Sequence, residues 1–365
     1  MPSVFLTGFP GFLGSQLVER LLARYPADTL VNCLVQRAYF GQAEAKKAAI
    51  ESKSPVWRDR VCLVEGDIAK PDLGLGEGCA AMARDATEIY HLAAVYDLGV
   101  KRDLAVRVNI DGTRNMLAFA ATAGRGLKRF QYVSTCYVSG SYRGEFTERD
   151  LIKGQRFNNH YEETKYLAEV DVQRRMFDGL PCTIYRPSVV AGDSRTGETQ
   201  KFDGPYYLLG LMRKLPAVAF VPVLGDARQV EFNIVPRNYV VDALAYLSAA
   251  EKSLGKVYHL CDPHPPTVNE LIDIVGRAVG RRVIRFPATE SLARGALDVI
   301  GPLRKWTGIE PRAVHYFEHP TRYRCEQTLE DLDGSGIWCP PFASYVDRLA
   351  AFMKAHPEIT PAAMV

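Results

Sequence analysis

The chain has 365 residues, of which 47% are hydrophobic and 24% are charged, and its formal net charge is +3. These fractions are those of a globular protein, and they exclude disorder for most of the chain as well as a collagen-like or coiled-coil protein. The net charge is too small to indicate nucleic acid as a partner. At about 150 residues per domain, the length predicts about two domains.

Apolar runs alternate with amphipathic segments over the first half of the chain. The segments predicted as strands are Val4–Leu6, Leu30–Val35, Arg60–Val64, Thr87–Leu92, Arg129–Val133 and Cys182–Tyr185. The segments predicted as helices are Ser15–Tyr25, Asp103–Ala123 and Tyr161–Asp178. This alternation predicts an α/β fold with a Rossmann-type, doubly wound parallel sheet.

The pattern changes after Pro187. Residues 191–232 mix glycine, proline and aromatic residues without a clear period, whereas a helix at Asn238–Lys252 and a strand at Val257–Cys261 return to the alternating style. A helix at Val268–Val279, a short strand at Val283–Phe286, a further helix and an irregular tail follow. We therefore predict two units. One is a dinucleotide-binding domain of residues 1–190, to which 233–261 return, and the other is a smaller, discontinuous substrate-binding lobe of residues 191–232 and 262–365.

A glycine-rich turn lies between the first strand and the first helix. Glycines at this spacing allow a tight turn, close approach of the backbone to a pyrophosphate, and close packing of helix on strand. The helix N-terminus offers free N–H groups to phosphates. The cofactor-binding residues predicted here are Thr7, Gly8, Phe9, Pro10, Gly11, Phe12, Leu13 and Gly14.

The residues after the second and third strands bear on the choice of dinucleotide. An NAD site usually places an acid after the second strand, but this chain has Gln36 and Arg37 there. A guanidinium pairs with the 2′-phosphate of NADP, which a carboxylate would repel. We therefore expect NADPH rather than NADH, unless Arg37 is only a solvated surface residue. Asp67 and Ile68 are predicted to meet the adenosine, although Asp67 also suits a loop cap.

Tyr161 and Lys165 are four residues apart, so that they face the same way on a helix. An ammonium beside a phenol favours the phenolate, and such a tyrosine can give a proton to a carbonyl oxygen. A surface tyrosine–lysine pair is the alternative. Ser134 and Thr135 follow the fifth strand, where ligands bind in such sheets, and a hydroxyl there can orient a substrate oxygen. Asn109 in mid-helix is predicted to anchor Lys165 through a water, with a solvated asparagine as the alternative.

The glycine turn, the hydroxyl, the tyrosine and the lysine, in this order, resemble the extended short-chain dehydrogenase/reductase superfamily. The resemblance covers nearly the whole chain. It implies that Leu92, Ala93 and Ala94 line the cofactor after the fourth strand and that Pro187, Ser188 and Val189 line the nicotinamide. Counting back from Gly140, it puts Thr135 rather than Ser134 at the catalytic hydroxyl position. The implied roles are Tyr161 as proton donor, Lys165 as ribose ligand and Thr135 as the group that polarises the carbonyl.

Four stretches, His91–Gly99, Asn109–Arg114, Asp203–Tyr207 and Asn233–Pro236, are similar to the N-terminal reductase part of bacterial fatty acyl-CoA reductases. This resemblance implies NADPH-dependent reduction of a fatty aldehyde or of a long-chain acyl thioester (acyl-CoA). Those enzymes carry a second reductase unit that this sequence does not contain, so we expect one of the two reductions. The motif does not separate them.

Two segments are candidates for substrate or lipid contact. Leu292–Trp306 predicts either a lid with peripheral lipid contact or a plain packed helix. The second segment supplies a chain-length pocket or, alternatively, ordinary core. Its apolar residues are Phe202, Tyr206, Tyr207, Leu208, Leu211 and Met212. By analogy with relatives, the helices at 103–123 and 161–178 suggest a homodimer.

The sequence predicts neither a metal site nor a membrane span. His315 and His319 have the HxxEH order of some zinc peptidases, but Pro320 argues against the sustained helix that such a site needs. No stretch reaches the about 18 apolar residues of a membrane span, and the N-terminus lacks a signal-peptide pattern. The eight cysteines contain no CxxC pair, which is typical of reduced thiols. We therefore expect a cytoplasmic enzyme.

Three other functions suit parts of this pattern. A sugar-nucleotide epimerase or dehydratase shares the fold, but it commonly has an acid at the Arg37 position, and a dehydratase needs an acid pair where Cys136 and Tyr137 stand. Another alcohol dehydrogenase of the superfamily is the second alternative. A non-catalytic NADP-binding protein is the third, and such proteins tend to lose the tyrosine or the lysine.

Overall fold

A seven-stranded sheet forms the centre of the computed structural model, which describes residues 3–96, 99–223, 227–287, 317 and 319–359. The strands are β1 (Ser3–Thr7), β2 (Leu30–Val35), β3 (Val61–Glu65), β4 (Ala86–His91), β5 (Arg129–Val133), β6 (Gly144–Phe146), β7 (Cys182–Pro187), β8 (Val189–Ala191), β9 (Val218–Val223), β10 (Ile234–Pro236), β11 (Val257–Leu260), β12 (Arg282–Pro287) and β13 (Thr321–Tyr323). The large sheet has the order β11-β7-β5-β4-β1-β2-β3, and its neighbouring strands are all parallel. The predicted α/β Rossmann-type fold with a smaller second lobe is confirmed.

Helices cover both faces of this sheet and build the second lobe. They are α1 (Gly14–Arg24), α2 (Phe40–Glu51), α3 (Cys79–Asp85), α4 (Arg102–Ala105), α5 (Gly112–Ala123), α6 (His160–Phe177), α7 (Pro205–Lys214), α8 (Arg237–Ala249), α9 (Val268–Ala278), α10 (Glu326–Leu332) and α11 (Val346–Ala355). The central strands β1 and β5 are buried at every residue. Both faces of these strands are therefore covered, and β1 has a continuous apolar run at Val4–Leu6, as is typical of a buried parallel strand.

Two differences from the predicted elements have local causes. Helix α2 was not predicted, because it buries only Ala43 and Ile50 and so lacks an apolar stripe. The single helix expected at 103–123 is α4 and α5 joined by a π-helical segment, Val106–Asp111. Such π-helical turns often occur at functional sites.

Small parallel ribbons and further helices lie outside the large sheet in the described part of the chain. Strand β8 pairs with β10, β9 with β12, and β6 with β13. Helices α7, α9 and α11 share one hydrophobic core. Helix α10, from the part assigned to the second lobe, packs instead against α8 and β11. Asp331 of α10 accepts hydrogen bonds from Lys256 Nζ and from Tyr258 Oη, both at 2.6 Å. The exact domain boundaries stay a prediction.

Candidate active site

A cavity of about 1580 Å³ lies along the carboxyl ends of the central strands. Parallel strands end at the same edge of a sheet, so the residues that follow them meet there. Gly8 after β1, Gln36 after β2, Leu92 after β4, Ser134 after β5 and Ser188 after β7 all line this cavity. The cavity therefore brings together segments that are distant in the chain.

The glycine-rich turn forms one wall of the cavity. Gly8 has a φ of 96°, in the region that favours glycine, and a Cβ added there would lie 2.9 Å from the Cβ of Leu92. A Cβ on Gly14 would lie 2.4 Å from the carbonyl oxygen of Gly8. The turn therefore needs glycine at both positions, and it brings the start of α1 to the cavity.

The predicted cofactor residues lie together, with one exception. Those that line the cavity are Thr7, Gly8, Phe9, Pro10, Gly11, Phe12, Leu13, Gly14, Asp67, Ile68, Leu92, Ala93, Ala94, Tyr161, Lys165, Pro187, Ser188 and Val189. The exception is Arg37, whose side chain is 84% exposed and pairs with Glu65 at 2.8 Å. Lys46 of α2 lines the cavity instead, and sequence reasoning missed it because α2 itself gave no signal.

Two buried hydroxyls in the cavity fit a polar ligand such as a nicotinamide dinucleotide. Ser134 and Ser188 line the cavity, and within the described part of the chain their Oγ atoms have no hydrogen-bond partner. Buried hydroxyls without a partner are costly, so native proteins usually satisfy them. A polar ligand bound between the ends of β5 and β7 would supply the missing partners.

Helix α6 positions the predicted tyrosine and lysine. Asn159 caps its N-terminus and accepts a hydrogen bond from the backbone N–H of Glu162 at 3.0 Å. Tyr161 and Lys165 consequently share one face of the helix, at 8% and 3% exposure. Lys165 Nζ donates to Tyr132 Oη at 3.0 Å and to the Val133 carbonyl at 2.8 Å. Burial lowers the pKa of Lys165 to about 7, although Glu169 acts in the opposite direction.

Thr135 connects the end of β5 with Tyr161. Its hydroxyl donates to the Pro187 carbonyl at 3.4 Å and accepts from the Tyr137 N–H at 3.3 Å. Burial raises the pKa of the Tyr161 phenol, and the nearby Thr135 hydroxyl works against that rise. The cavity thus holds a protonated phenol with a neighbouring hydroxyl and a buried amine.

Asn109 makes contacts other than the one expected. Its Oδ1 accepts from the Val95 N–H at 2.8 Å, and its Nδ2 donates to the Val95 carbonyl at 3.2 Å and to Thr164 Oγ1 at 3.0 Å. Asn109 therefore links the backbone that follows β4 to α6, at Thr164, the residue before Lys165. Its water-mediated link to Lys165 stays a prediction.

Polar and aromatic residues that sequence reasoning did not assign to the site also line the cavity. They include Tyr96, Tyr137, Gln200, Lys201 and Asp203. Of the six apolar residues considered for a chain-length pocket, Tyr207 alone lines the cavity, while Phe202, Tyr206, Leu208 and Met212 are buried in the core of the second lobe. The start of α7 was a usable signal, since Gly204-Pro205 places proline in the first turn of a helix.

Several other expectations concern metal and membrane. Leu292–Trp306 and His315 lie outside the described residues. Among the residues that the structure describes, no group of three His, Cys, Asp or Glu side chains is arranged to hold a metal ion. No helix in the described ranges has both the length and the apolar character to cross a membrane.

Comparison with known proteins assigns the family. Residues 6–244 match the family described as male sterility protein, an NAD-binding family. The chain belongs to this family. It is accordingly an NAD(P)-dependent oxidoreductase of the extended short-chain dehydrogenase/reductase type, and the predicted superfamily is confirmed.

Two relatives of this chain are larger proteins. The nonribosomal peptide synthetase FrzA from Cladobotryum sp is 32% identical over 74% of this chain and 27% of its own length. The aldehyde reductase lnbA from Aspergillus flavus is 27% identical over 87% of this chain and 32% of its own length. The chain thus spans about a quarter to a third of these two relatives.

A solved structure matches nearly the whole chain. It is the terminal R domain from the myxalamid PKS-NRPS biosynthetic pathway, with a TM-score of 0.79 and 26% identity over 98% of this chain and 91% of that one. These relatives fit a reductase domain. They do not specifically support the narrower resemblance to fatty acyl-CoA reductases or a role in lipid metabolism.

Proposed function

We propose that the protein is an NADPH-dependent reductase of an aldehyde or of an acyl thioester. The observation that carries this proposal is that Thr135, Tyr161 and Lys165 line one cavity, with buried Lys165 one helical turn after Tyr161 on α6. The glycine turn lines the same cavity. The names of two relatives, an aldehyde reductase and a terminal reductase domain, support this substrate class.

Tyr161 is the proton donor in this proposal. Because burial raises the pKa of its phenol, Tyr161 carries its proton at neutral pH and can give it to a substrate oxygen. The Thr135 hydroxyl donates a hydrogen bond to the same oxygen and so favours the negative charge that develops there. Lys165 would hold the cofactor ribose, while Ser134 and Ser188 would meet polar atoms of the ligand.

When bound, the reduced dinucleotide supplies the hydride that the carbonyl carbon receives. With an aldehyde, hydride and the Tyr161 proton together give an alcohol. With a thioester, they give a hemithioacetal that releases the thiol and leaves an aldehyde. A fatty acyl group, carried by coenzyme A or by a carrier domain, is the substrate that the sequence resemblance predicts.

The preference for NADPH rests on the residues around β2. Neither Gln36 nor Arg37 is an acid, and Lys46 lines the cavity. Arg37 pairs with Glu65 in a largely exposed ion pair, and such a pair contributes about 0–1 kcal/mol. Exchange of Glu65 for a phosphate therefore costs little, so Arg37 and Lys46 can both pair with a 2′-phosphate.

The test follows NADPH oxidation by absorbance, with decanal, a long-chain acyl-CoA and a UDP-sugar in parallel and with NADH as the matched cofactor. We expect oxidation with decanal or the acyl-CoA and a lower KM for NADPH than for NADH. Conversion of the UDP-sugar without net oxidation would instead support an epimerase and overturn the proposal.

A further inference from the structure

A charged pair lines the cavity beside an aromatic side chain. Lys201 Nζ is 2.5 Å from Asp203 Oδ2 and 4.1 Å from the centre of the Tyr96 ring. The two charged side chains are 19% and 17% exposed, and both line the cavity. None of the mechanistic roles assigned above uses this pair.

Contacts on either side of the pair hold this loop in place. Thr199 is 5% exposed, and its hydroxyl donates to the Lys201 carbonyl at 3.1 Å. Gly204, with a φ of 55°, turns the chain into α7, and a Cβ at this position would lie 2.9 Å from Val189 Cγ1. The loop is therefore packed tightly against the strand that follows β7, and the charged pair is a fixed part of the cavity wall.

The pair is one aromatic ring away from the proton donor. The Tyr96 ring meets the Tyr161 ring edge-on, with centroids 4.9 Å apart and an interplanar angle of 80°. Lys201 lies over that same Tyr96 ring. A substrate group that touches Lys201 or Asp203 consequently lies close to the carbonyl that Tyr161 protonates.

The chemistry of the pair selects the kind of group that it binds. An alkyl chain packed against Lys201 and Asp203 would exclude the water that still contacts them and would provide no hydrogen bonds in its place. An isolated charge on the substrate would compete with one member of the pair and leave the other unpaired. A neutral group that both accepts and donates hydrogen bonds satisfies the ammonium and the carboxylate together.

We propose that Lys201 and Asp203 form a substrate-binding site for an amide or hydroxyl group next to the reacting carbonyl. This inference rests on the proposed reductase function and narrows its substrate class. An acyl group with a polar substituent near its carbonyl is then preferred to a plain fatty chain of the same length.

The test compares two aldehydes of equal chain length, decanal and an analogue in which an amide follows the first methylene. We expect the wild-type enzyme to favour the amide by about tenfold in kcat/KM, since a hydrogen bond to a charged group is worth that much. Lys201→Met and Asp203→Asn should each bring this ratio close to one, mainly through a higher KM for the amide-containing aldehyde.

A matched control is available elsewhere on the surface. Lys153 pairs with Asp150 at 3.0 Å and lies 5.0 Å from the Tyr142 ring centre, but it does not line the cavity. Lys153→Met should therefore keep the wild-type ratio. Thermal unfolding shows whether each variant is folded. If one of the Lys201 and Asp203 variants does not fold, the ratio measured with the other one tests the proposal.

The outcomes separate the two proposals. Reduction of both aldehydes without discrimination, or an equal loss of both activities in the folded Lys201 and Asp203 variants, overturns this inference and leaves the reductase function intact. If the wild-type enzyme oxidises NADPH with neither aldehyde nor an acyl thioester, the reductase function itself fails, and this inference falls with it.

Discussion

Two lysines line the same cavity, and their surroundings differ in kind. Lys165 is 3% exposed and donates to a phenol and a backbone carbonyl, whereas the Lys201 side chain is 19% exposed and pairs with a carboxylate. Neutral partners do not offset desolvation, so burial lowers the pKa of Lys165 to about 7. A lysine can therefore be buried in this cavity with neutral partners, or half-buried beside a carboxylate.

The largest expected effect concerns the buried site around Lys165. Tyr161→Phe removes the proton donor, and we expect kcat to fall by about 10²–10⁴ on every substrate, since general acid catalysis contributes that much. Affinity for NADPH, measured by fluorescence titration, should stay within about twofold of wild type. Such a uniform loss contrasts with the substrate-dependent effect expected at Lys201. Near-normal turnover in the variant would contradict the proposed mechanism.

The next prediction compares the contribution of a buried ion pair to stability with that of an exposed ion pair. Arg186 and Glu169 are 0% exposed and 2.6 Å apart, and Glu169 lies one turn after Lys165 on α6. Glu169→Gln leaves a guanidinium buried without its counter-charge, so we expect a loss of about 3–5 kcal/mol in the free energy of unfolding by urea. In Glu65→Gln, which breaks the exposed pair with Arg37, the change should stay below about 1 kcal/mol. Equal losses in the two variants would remove the contrast between buried and exposed pairs.

The ligand-free protein should also show the altered pKa of Lys165 in its stability. Between pH 7 and 10 the unfolded lysine keeps its proton, because its pKa is about 10.4, whereas the folded group titrates at about 7. The unfolded state then binds more protons, so stability rises with pH. The wild-type free energy of unfolding minus that of Lys165→Met should therefore increase by at most about 1.4 kcal/mol per pH unit in this window. A difference that is flat with pH would mean that Lys165 keeps its charge in the folded protein.

The smallest expected effect concerns the cofactor end of the cavity. Lys46→Met should raise the KM for NADPH by about tenfold and leave that for NADH unchanged, since one charge-assisted contact to phosphate is lost. Lys47→Met is the matched control. Lys47 is the next residue on α2, but it pairs with Glu51 at 3.6 Å and does not line the cavity. An equal change with both cofactors would place Lys46 away from the 2′-phosphate.

Sequence motifs identified cavity residues best where all the residues of a motif are close together in the chain. The glycine turn, Thr135, Tyr161 and Lys165 were all found from short motifs beside strong strand or helix signals, and the structure brings them into one cavity. Arg37 shows the limit of this approach. Its position after β2 was correct, but its side chain pairs with Glu65 on the neighbouring strand β3, a partner that the local sequence does not reveal.

The sequence by itself determined the parallel sheet, the glycine turn and the Tyr161–Lys165 pair, because each depends on residues that are close in the chain and have a marked period or spacing. Only the tertiary structure decided which side chains line the cavity. Residues 200–207 include both core and cavity positions, and packing of α7 against α9 and α11 turns Tyr206 inward while Tyr207 lines the cavity. The proximity of the Lys201–Asp203 pair to Tyr161 likewise depends on tertiary structure, because Tyr96, which is distant in the chain, contacts both Lys201 and Tyr161.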